Sequence, residues 1–212
     1  QAVDITFLGT SASNAYPEAF CSCPNCRAAR QLGGPSLRKR SALLVGDDLL
    51  IDLGPDVMTA SAMHGRPLTR VSHCLQTHAH ADHLDPSHFL SRSPEFGVVG
   101  APLLHFYGSA ETLRRASDMF RAFYDAQGLL DEGVAERLNL ELCAVEPFRA
   151  FQAGPYLVTP VPASHSPRLA ALLYVVRGPD RTLFYGTDTG PLSEATWRGL
   201  AAMGVRVDVA IL

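Results

Sequence analysis

Long hydrophobic segments are absent from this sequence of 212 residues. Its longest apolar run, Leu169 to Val176, has eight residues, whereas a membrane-spanning helix needs roughly 20. The first residues, Gln1 to Asp4, also lack the basic segment and apolar stretch that together mark a secretory signal peptide. These absences predict a protein without a membrane partner.

A strong excess of one charge is also missing. The chain has 18 basic and 21 acidic residues and a formal net charge of −3, which disfavours a protein whose main role is to coat nucleic acid. With 47% hydrophobic and 18% charged residues, the composition excludes intrinsic disorder. Because neither an internal repeat nor a low-complexity linker interrupts the chain, residues 1–212 are predicted to form a single domain.

Cysteine usage indicates a metal site. Of the five cysteines, Cys21, Cys23 and Cys26 lie in one short run, where thiols bridge one another with difficulty but converge readily on an ion. We therefore predict a structural zinc in the loop 21–26, with a fourth ligand from Cys74, Cys143 or a histidine. Three buried or reactive cysteines are the alternative. A thiolate site also favours a reducing, cytoplasmic compartment.

The hydrophobic periodicity predicts an α/β domain. Strands are predicted over residues 4–8, 41–45, 49–53, 71–77, 102–107, 138–145, 156–161, 169–176, 182–185 and 205–212. Helices are predicted over 24–32, 57–63 and 193–203. The clearest helix follows the cap Ser109. Its apolar face includes Phe120, Phe123 and Tyr124, which are predicted to pack in the core. This order predicts two packed sheets covered by helices. Since the chain stops inside what resembles a buried strand, we expect a C-terminal segment to be missing.

The chemistry-bearing residues are concentrated between Thr77 and His83, directly after a predicted strand. His78 and His80 project to the same side of an extended chain, and a following helical turn would bring Asp82 and His83 to an adjacent position. Imidazoles and carboxylates suit zinc, manganese or iron. Two such ions about 3.5–4 Å apart can activate a bridging water and clamp an ester. A solvent-exposed histidine-rich loop is the alternative.

Two later residues complete the candidate ligand set. His165 and Asp188 each follow a predicted strand, and a carboxylate at position 188 could bridge two ions. Taken alone, each would more often be an ordinary loop residue. Asp52 also ends a strand and is predicted either to support a metal-bound histidine or to form a turn. The remaining histidines have no matching spacing and are predicted to be surface or core residues: His64, His73, His88 and His105.

The pattern H-x-H-x-D-H after a strand, with a later strand-end histidine and aspartate, resembles the metallo-β-lactamase superfamily over essentially the whole chain. Within it, the opening Gly9-Thr10-Ser11, the cysteine triplet, the segment 38–41 and the segment 50–54 are similar to the phosphoribosyl cyclic phosphodiesterases (PhnP-like). The resemblance implies a four-layer αββα sandwich of the metallo-β-lactamase type, here lacking its C-terminal segment, with a dinuclear site at the sheet edges.

The resemblance also implies a role for each candidate residue. One metal ion is held by His78, His80 and His165, the other by Asp82 and His83, and Asp188 bridges them. A structural zinc is held by Cys21, Cys23 and Cys26. A last metal-binding histidine, a histidine that completes the cysteine site and a histidine acting as general acid are expected beyond Leu212.

These observations predict a metal-dependent hydrolase with two zinc or manganese ions. A metal-bridged hydroxide would cleave a phosphodiester, with Asp82 as a catalytic residue, and the resemblance implies that the substrate is small and cyclic. The alternatives are another hydrolase of the superfamily, such as an RNA 3′-processing nuclease or a lactone or thioester hydrolase, and a non-catalytic metal-binding protein of the same fold. Nucleic acid is not expected as a partner, and a homodimer is left open.

Overall fold

The first sheet contains six strands in the order β1-β2-β3-β4-β5-β6. The structure is a computed structural model that describes residues 4–124 and 126–212. The strands are β1 (Ile5–Gly9), β2 (Ala42–Val45), β3 (Leu49–Ile51), β4 (His73–Leu75), β5 (Leu104–Gly108) and β6 (Leu140–Ala144). The first three pair antiparallel, and β3 to β6 run parallel to one another. Gly46 begins the tight turn between β2 and β3 with a φ of 62°, a left-handed conformation that glycine adopts without steric cost.

The second sheet contains five strands in the order β11-β10-β9-β8-β7. They are β7 (Phe151–Ala153), β8 (Tyr156–Pro162), β9 (Leu172–Arg177), β10 (Thr182–Tyr185) and β11 (Val209–Ile211). Because β8 and β10 both pair antiparallel with β9, they run in the same direction and end at the same edge of the sheet. This edge carries part of the candidate site.

Six α-helices accompany the sheets among the described residues. They are α1 (Pro24–Leu32), α2 (Val57–His64), α3 (Ser87–Ser91), α4 (Ala110–Phe123), α5 (Val134–Arg137) and α6 (Glu194–Ala202). Ser109 caps α4 by accepting a backbone hydrogen bond from Thr112, as the sequence predicts. Ser193, predicted as the first residue of its helix, caps α6 in the same way by accepting from the backbone of Thr196. None of these helices has both the length and the apolar character that crossing a membrane requires.

Three apolar clusters define four layers. Side chains of both sheets, such as Leu43, Ile51 and Tyr174, pack between them. The other face of the first sheet packs on helices through residues such as Leu44 and Phe120. A smaller cluster around Val175 covers the outer face of the second sheet, with Leu200 of α6 against it. The predicted αββα sandwich is therefore confirmed.

Two predictions about burial are wrong. Phe120 is fully buried, but Phe123 is 74% exposed and Tyr124 is 45% exposed. Both lie at the C-terminal end of α4, where the side chains no longer pack against the sheet. The predicted final strand is shorter than expected, and its residues are largely accessible because β11 is an edge strand. The short elements α3, α5 and β7 were not predicted, since a few residues carry too little periodicity.

Candidate metal centre

Four strand ends carry the candidate ligands to one edge of the sandwich. Asp52 follows β3, the segment from His78 to His83 follows β4, His165 follows β8, and Asp188 follows β10. The parallel pairing of β3 with β4 and the common direction of β8 and β10 bring these ends together. The structure thus assembles residues that lie more than 130 positions apart in the sequence.

The first ligand group contains His78, His80, His165 and Asp188, each of which offers one ligand atom within 4.8 Å of those of the others. The His80 Nδ1 atom lies 3.0 Å from Nε2 of His78 and 3.0 Å from Nε2 of His165. Zn–N bonds of about 2.0–2.1 Å in tetrahedral geometry would place ligand atoms about 3.3 Å apart. The separations between these atoms are therefore close to those of a coordination shell.

The second ligand group contains Asp82, His83 and Asp188. Nε2 of His83 lies 3.3 Å from an Asp82 oxygen and 3.2 Å from Oδ2 of Asp188, which itself lies 3.4 Å from Nε2 of His78. Asp188 therefore belongs to both groups. This is the position that a carboxylate bridging two ions must occupy.

The buried Asp52 carboxylate orients both His78 and His83. It accepts hydrogen bonds from the Thr77 hydroxyl (2.8 Å) and from Nδ1 of His83 (2.7 Å). Since the only proton of the Thr77 hydroxyl is donated to Asp52, the 3.0 Å contact of that oxygen with His78 requires a proton on Nδ1 of His78. His78 then presents an unprotonated Nε2 to the first ligand group, and the contact of Asp52 with Nδ1 of His83 leaves Nε2 of that ring facing the second group, as the nitrogen that an ion would take in place of a proton.

Gln76 is a functional residue that the sequence prediction missed. It is completely buried, and its amide nitrogen donates to Asp52 and to the carbonyl oxygens of His78 and His83, at distances of 3.2, 2.8 and 3.0 Å. Its carbonyl oxygen accepts a hydrogen bond from the backbone of Leu53. The signal that could have indicated it is a long polar side chain inside a buried strand segment.

The electrostatics of the cluster show where positive charge is favoured. Burial opposes protonation of His83, but the Asp52 and Asp82 carboxylates outweigh it and raise the pKa of His83 to about 10. Burial and the neighbouring histidines lower the pKa of His78 to about 2. The hydrogen bond with His83 lowers the pKa of Asp82 to about 2. The Asp82 carboxylate therefore stays ionised and attracts a cation.

The donor set fits two divalent ions. Imidazole nitrogens and carboxylate oxygens are the ligands that zinc and manganese accept. The Thr77 hydroxyl orients the His78 ring and the Asp52 carboxylate orients the His83 ring, so that Nε2 of each faces the ligand groups. The side chains of Asp52, Asp82 and Asp188 supply three negative charges against the four positive charges of two such ions. A net charge of about +1 would remain to attract an anion.

Asp52 and Asp188 share an unusual backbone conformation. Their φ angles are 66° and 57°, in the left-handed region that aspartate tolerates better than most residues. Both turns follow directly on strand ends and direct a carboxylate into the cluster. Such conformations concentrate at functional sites, where the surrounding structure maintains them.

The cluster forms the floor of an open cavity of about 710 Å³. Residues that carry a hydroxyl group line it, namely Thr10, Ser11, Ser13, Ser41, Tyr185 and Thr187. None of the described residues that line it is lysine or arginine. The volume suits a small molecule, and the positive charge for an anionic ligand would have to come from bound cations.

The cysteine triplet forms a separate group at the start of α1. The Sγ atoms of Cys21, Cys23 and Cys26 lie within 4.8 Å of one another. The backbone N–H of Cys26 and then the Cys21 side chain lower the pKa of Cys23 to about 7, which favours the thiolate. Cys74 is fully buried in the core and Cys143 lies on β6, so neither belongs to this group in the described structure.

Comparisons with known proteins agree with the fold. A sequence profile described as "Beta-lactamase superfamily domain" matches residues 48–212. A search of curated proteins finds no significant match. Among solved structures, the chain is similar to a diphosphatase from the PhnP family, with 21% identity and a TM-score of 0.68 over 98% of this chain and 72% of the other.

Two further solved structures share the fold. Zn²⁺-bound PqqB from Methylobacterium extorquens has 17% identity and a TM-score of 0.69, over 97% of this chain and 71% of PqqB. The short form of human tRNase Z has 15% identity and a TM-score of 0.66, over 97% and 76% of the respective chains. Because the family profile covers most of the sequence and the two-sheet architecture agrees with it, the chain belongs to the beta-lactamase superfamily and has the metallo-β-lactamase fold of metal-dependent hydrolases.

Proposed function

We propose that the protein is a dinuclear metal-dependent phosphodiesterase that hydrolyses a small, cyclic phosphodiester. The observation that carries this proposal is the sharing of Asp188 between two ligand groups at the floor of one cavity. One group would hold the first zinc or manganese ion, through His78, His80 and His165. Asp82 and His83 would hold the second.

The chain's own residues prepare the site for hydrolysis. Two divalent ions, when bound, lower the pKa of water and stabilise charge on phosphoryl and leaving-group oxygens. Asp52 retains the Nδ1 proton of His83, and Thr77 accepts that of His78, so both rings keep Nε2 directed at the ligand groups. Asp82 stays ionised beside His83 and acts as a ligand that holds the reacting centre in place.

The cavity favours a small monoanionic ester over a polymer. Its wall presents the hydroxyl groups of Ser11, Ser13 and Ser41, which can donate to phosphate or sugar oxygens without adding charge. The expected net charge of about +1 at the metal centre matches the single negative charge of a phosphodiester. The PhnP-family neighbour is named a diphosphatase, so the assay must separate phosphodiester from diphosphate hydrolysis.

The test is an assay of the whole encoded protein loaded with Mn²⁺ or Zn²⁺. We expect release of nitrophenol from bis(p-nitrophenyl) phosphate, and faster turnover of a five-membered cyclic phosphodiester than of a diphosphate. Asp188→Asn should abolish both activities, whereas Asp47→Asn, an exposed carboxylate in the β2–β3 turn, should retain them. Turnover only of a diphosphate, of an RNA 3′ end or of a lactone would refute the phosphodiesterase proposal. No hydrolysis of any of these would favour a non-catalytic protein.

We also propose a structural zinc on Cys21, Cys23 and Cys26. The support is the convergence of the three thiols and the lowered pKa of Cys23 at the start of α1. Cys23→Ser should reduce the zinc content by one ion and lower the melting temperature, while kcat of the protein that remains folded changes little. Unchanged zinc content in this variant would exclude the site.

A further inference from the structure

A second row of metal-ligating side chains lies far from the candidate centre. His73, His105 and Glu141 are direct neighbours on β4, β5 and β6, because the strand register pairs His73 with His105 and His105 with Glu141. Cys143 follows Glu141 by two residues on β6 and therefore lies on the same face of the sheet. His73 precedes His78 by five residues, which corresponds to about 16 Å along an extended chain.

The geometry of this row is that of a coordination site. Nδ1 of His105 lies 2.8 Å from a carboxylate oxygen of Glu141. Candidate ligand atoms of His105, Glu141 and Cys143 all lie within 4.8 Å of one another. The three residues occupy adjacent positions of hydrogen-bonded strands, so an ion would need little rearrangement of the backbone.

We propose that His105, Glu141 and Cys143 form a third cation site. It would bind Zn²⁺ or a similar divalent ion through one nitrogen, one oxygen and one sulfur atom. Such a mixed donor set suits a borderline-soft ion rather than Mg²⁺ or Ca²⁺. Binding replaces the His105–Glu141 contact by bonds to the ion and transfers the thiol proton of Cys143 to solvent. Water fills the fourth position.

The surroundings support access and orientation. β6 is the edge strand of the first sheet, Glu141 is exposed, and His105 and Cys143 are half-buried, so an ion can enter from solvent. Cys143 packs against the apolar cluster between the sheets, and its thiol makes a long contact of 3.8 Å with the Glu141 carbonyl oxygen, which a bond to an ion could replace. His73 stacks on His105 with ring centroids 5.1 Å apart and supports its orientation.

The site would join the edge strand to its neighbour. Because His105 belongs to β5 and the other two ligands belong to β6, a bound ion would add a link across this strand pair. Its role is structural, and its existence does not depend on hydrolysis at the candidate centre.

The test is the zinc content of the whole protein after dialysis against a fixed concentration of free Zn²⁺. We expect Cys143→Ser and His105→Gln to retain one ion fewer than wild type, with unchanged hydrolysis of bis(p-nitrophenyl) phosphate. Matched controls are His64→Gln and Glu146→Gln, both exposed residues outside the cluster, which should retain the wild-type number. Equal zinc content in all five proteins would overturn the proposal.

A spectroscopic measurement identifies the ligands directly. In protein whose cysteine triplet is changed to serine, bound Co²⁺ should produce a thiolate-to-metal absorption band, and Cys143→Ser should abolish this band. Glu141→Gln should lower the affinity for Co²⁺, measured by titration of the same band, at least tenfold. If the triplet variant does not fold, the same comparison is made as a difference spectrum between wild type and Cys143→Ser. A band unaffected by Cys143→Ser would refute the site.

Discussion

Replacing Asp52 by asparagine should weaken metal binding without removing a ligand. Oδ1 of Asp52 accepts hydrogen bonds from Gln76 and Thr77, whereas Oδ2 accepts from Nδ1 of His83. An asparagine that keeps its oxygen at the Oδ1 position presents an N–H₂ group to His83. The His83 ring must then accept at Nδ1 and carry its proton on Nε2, the atom that faces Asp82 and Asp188.

The expected loss of metal affinity is that of removing a hydrogen-bond partner that orients a metal ligand, here the Asp52 carboxylate beside His83. We expect Asp52→Asn to lower the affinity for Mn²⁺ by 10- to 100-fold, equivalent to about 1.4–2.7 kcal/mol. Mn²⁺ is the suitable probe because it prefers nitrogen and oxygen ligands to the thiols of the other candidate sites. The free ion is measured by electron paramagnetic resonance during a titration.

A matched control separates this effect from a general loss of charge. Asp47→Asn removes an exposed carboxylate that pairs with Arg70, and it should change Mn²⁺ affinity by less than about twofold. Thermal melting of the metal-free proteins checks that Asp52→Asn remains folded. Wild-type Mn²⁺ affinity in a folded Asp52→Asn variant would show that Asp52 does not set the protonation of His83.

Asp82→Ala should lower kcat for bis(p-nitrophenyl) phosphate by about 100- to 1,000-fold, or about 3–4 kcal/mol, while the variant still melts cooperatively. A near-normal kcat would show that Asp82 is not a metal ligand. Arg40→Ala should cost about 1–2 kcal/mol of unfolding free energy near neutral pH, because Arg40 donates hydrogen bonds of 2.8 and 2.7 Å to the half-buried Asp56. Hydrogen bonding from Arg40 lowers the pKa of Asp56 below its ordinary value of 3.8, so this contribution is complete above that value and is lost as the pH falls through the lower folded-state pKa. A difference in urea unfolding between Arg40→Ala and wild type that persists at low pH would contradict this assignment. Phe120→Ala should cost about 3–5 kcal/mol in urea unfolding, whereas Phe123→Ala, at a 74% exposed position on the same helix, should cost about 0.5 kcal/mol or less; equal losses would contradict the described packing of α4.

The local elements of the fold could be predicted from the sequence. The helix α1 and the strand β10 have the predicted bounds, and Ser109 caps its helix as expected. These features depend on capping groups, turns and periodicity within a few residues. Burial at the ends of helices and strands was predicted less well. Helical periodicity identifies an apolar face, but the exposure of Phe123 depends on how far the neighbouring sheet extends along the helix.

The sequence by itself determined the chemistry of the candidate centre, because three histidines and an aspartate between His78 and His83 leave few uses other than a metal. It indicated Asp188 as a possible bridge between two ions, but it could not assign a supporting role to Gln76 or align His105 with Glu141. Only the tertiary structure decided these points. Each requires the pairing of strands that lie far apart in the chain, and that pairing is determined by how both sheets bury their apolar faces together.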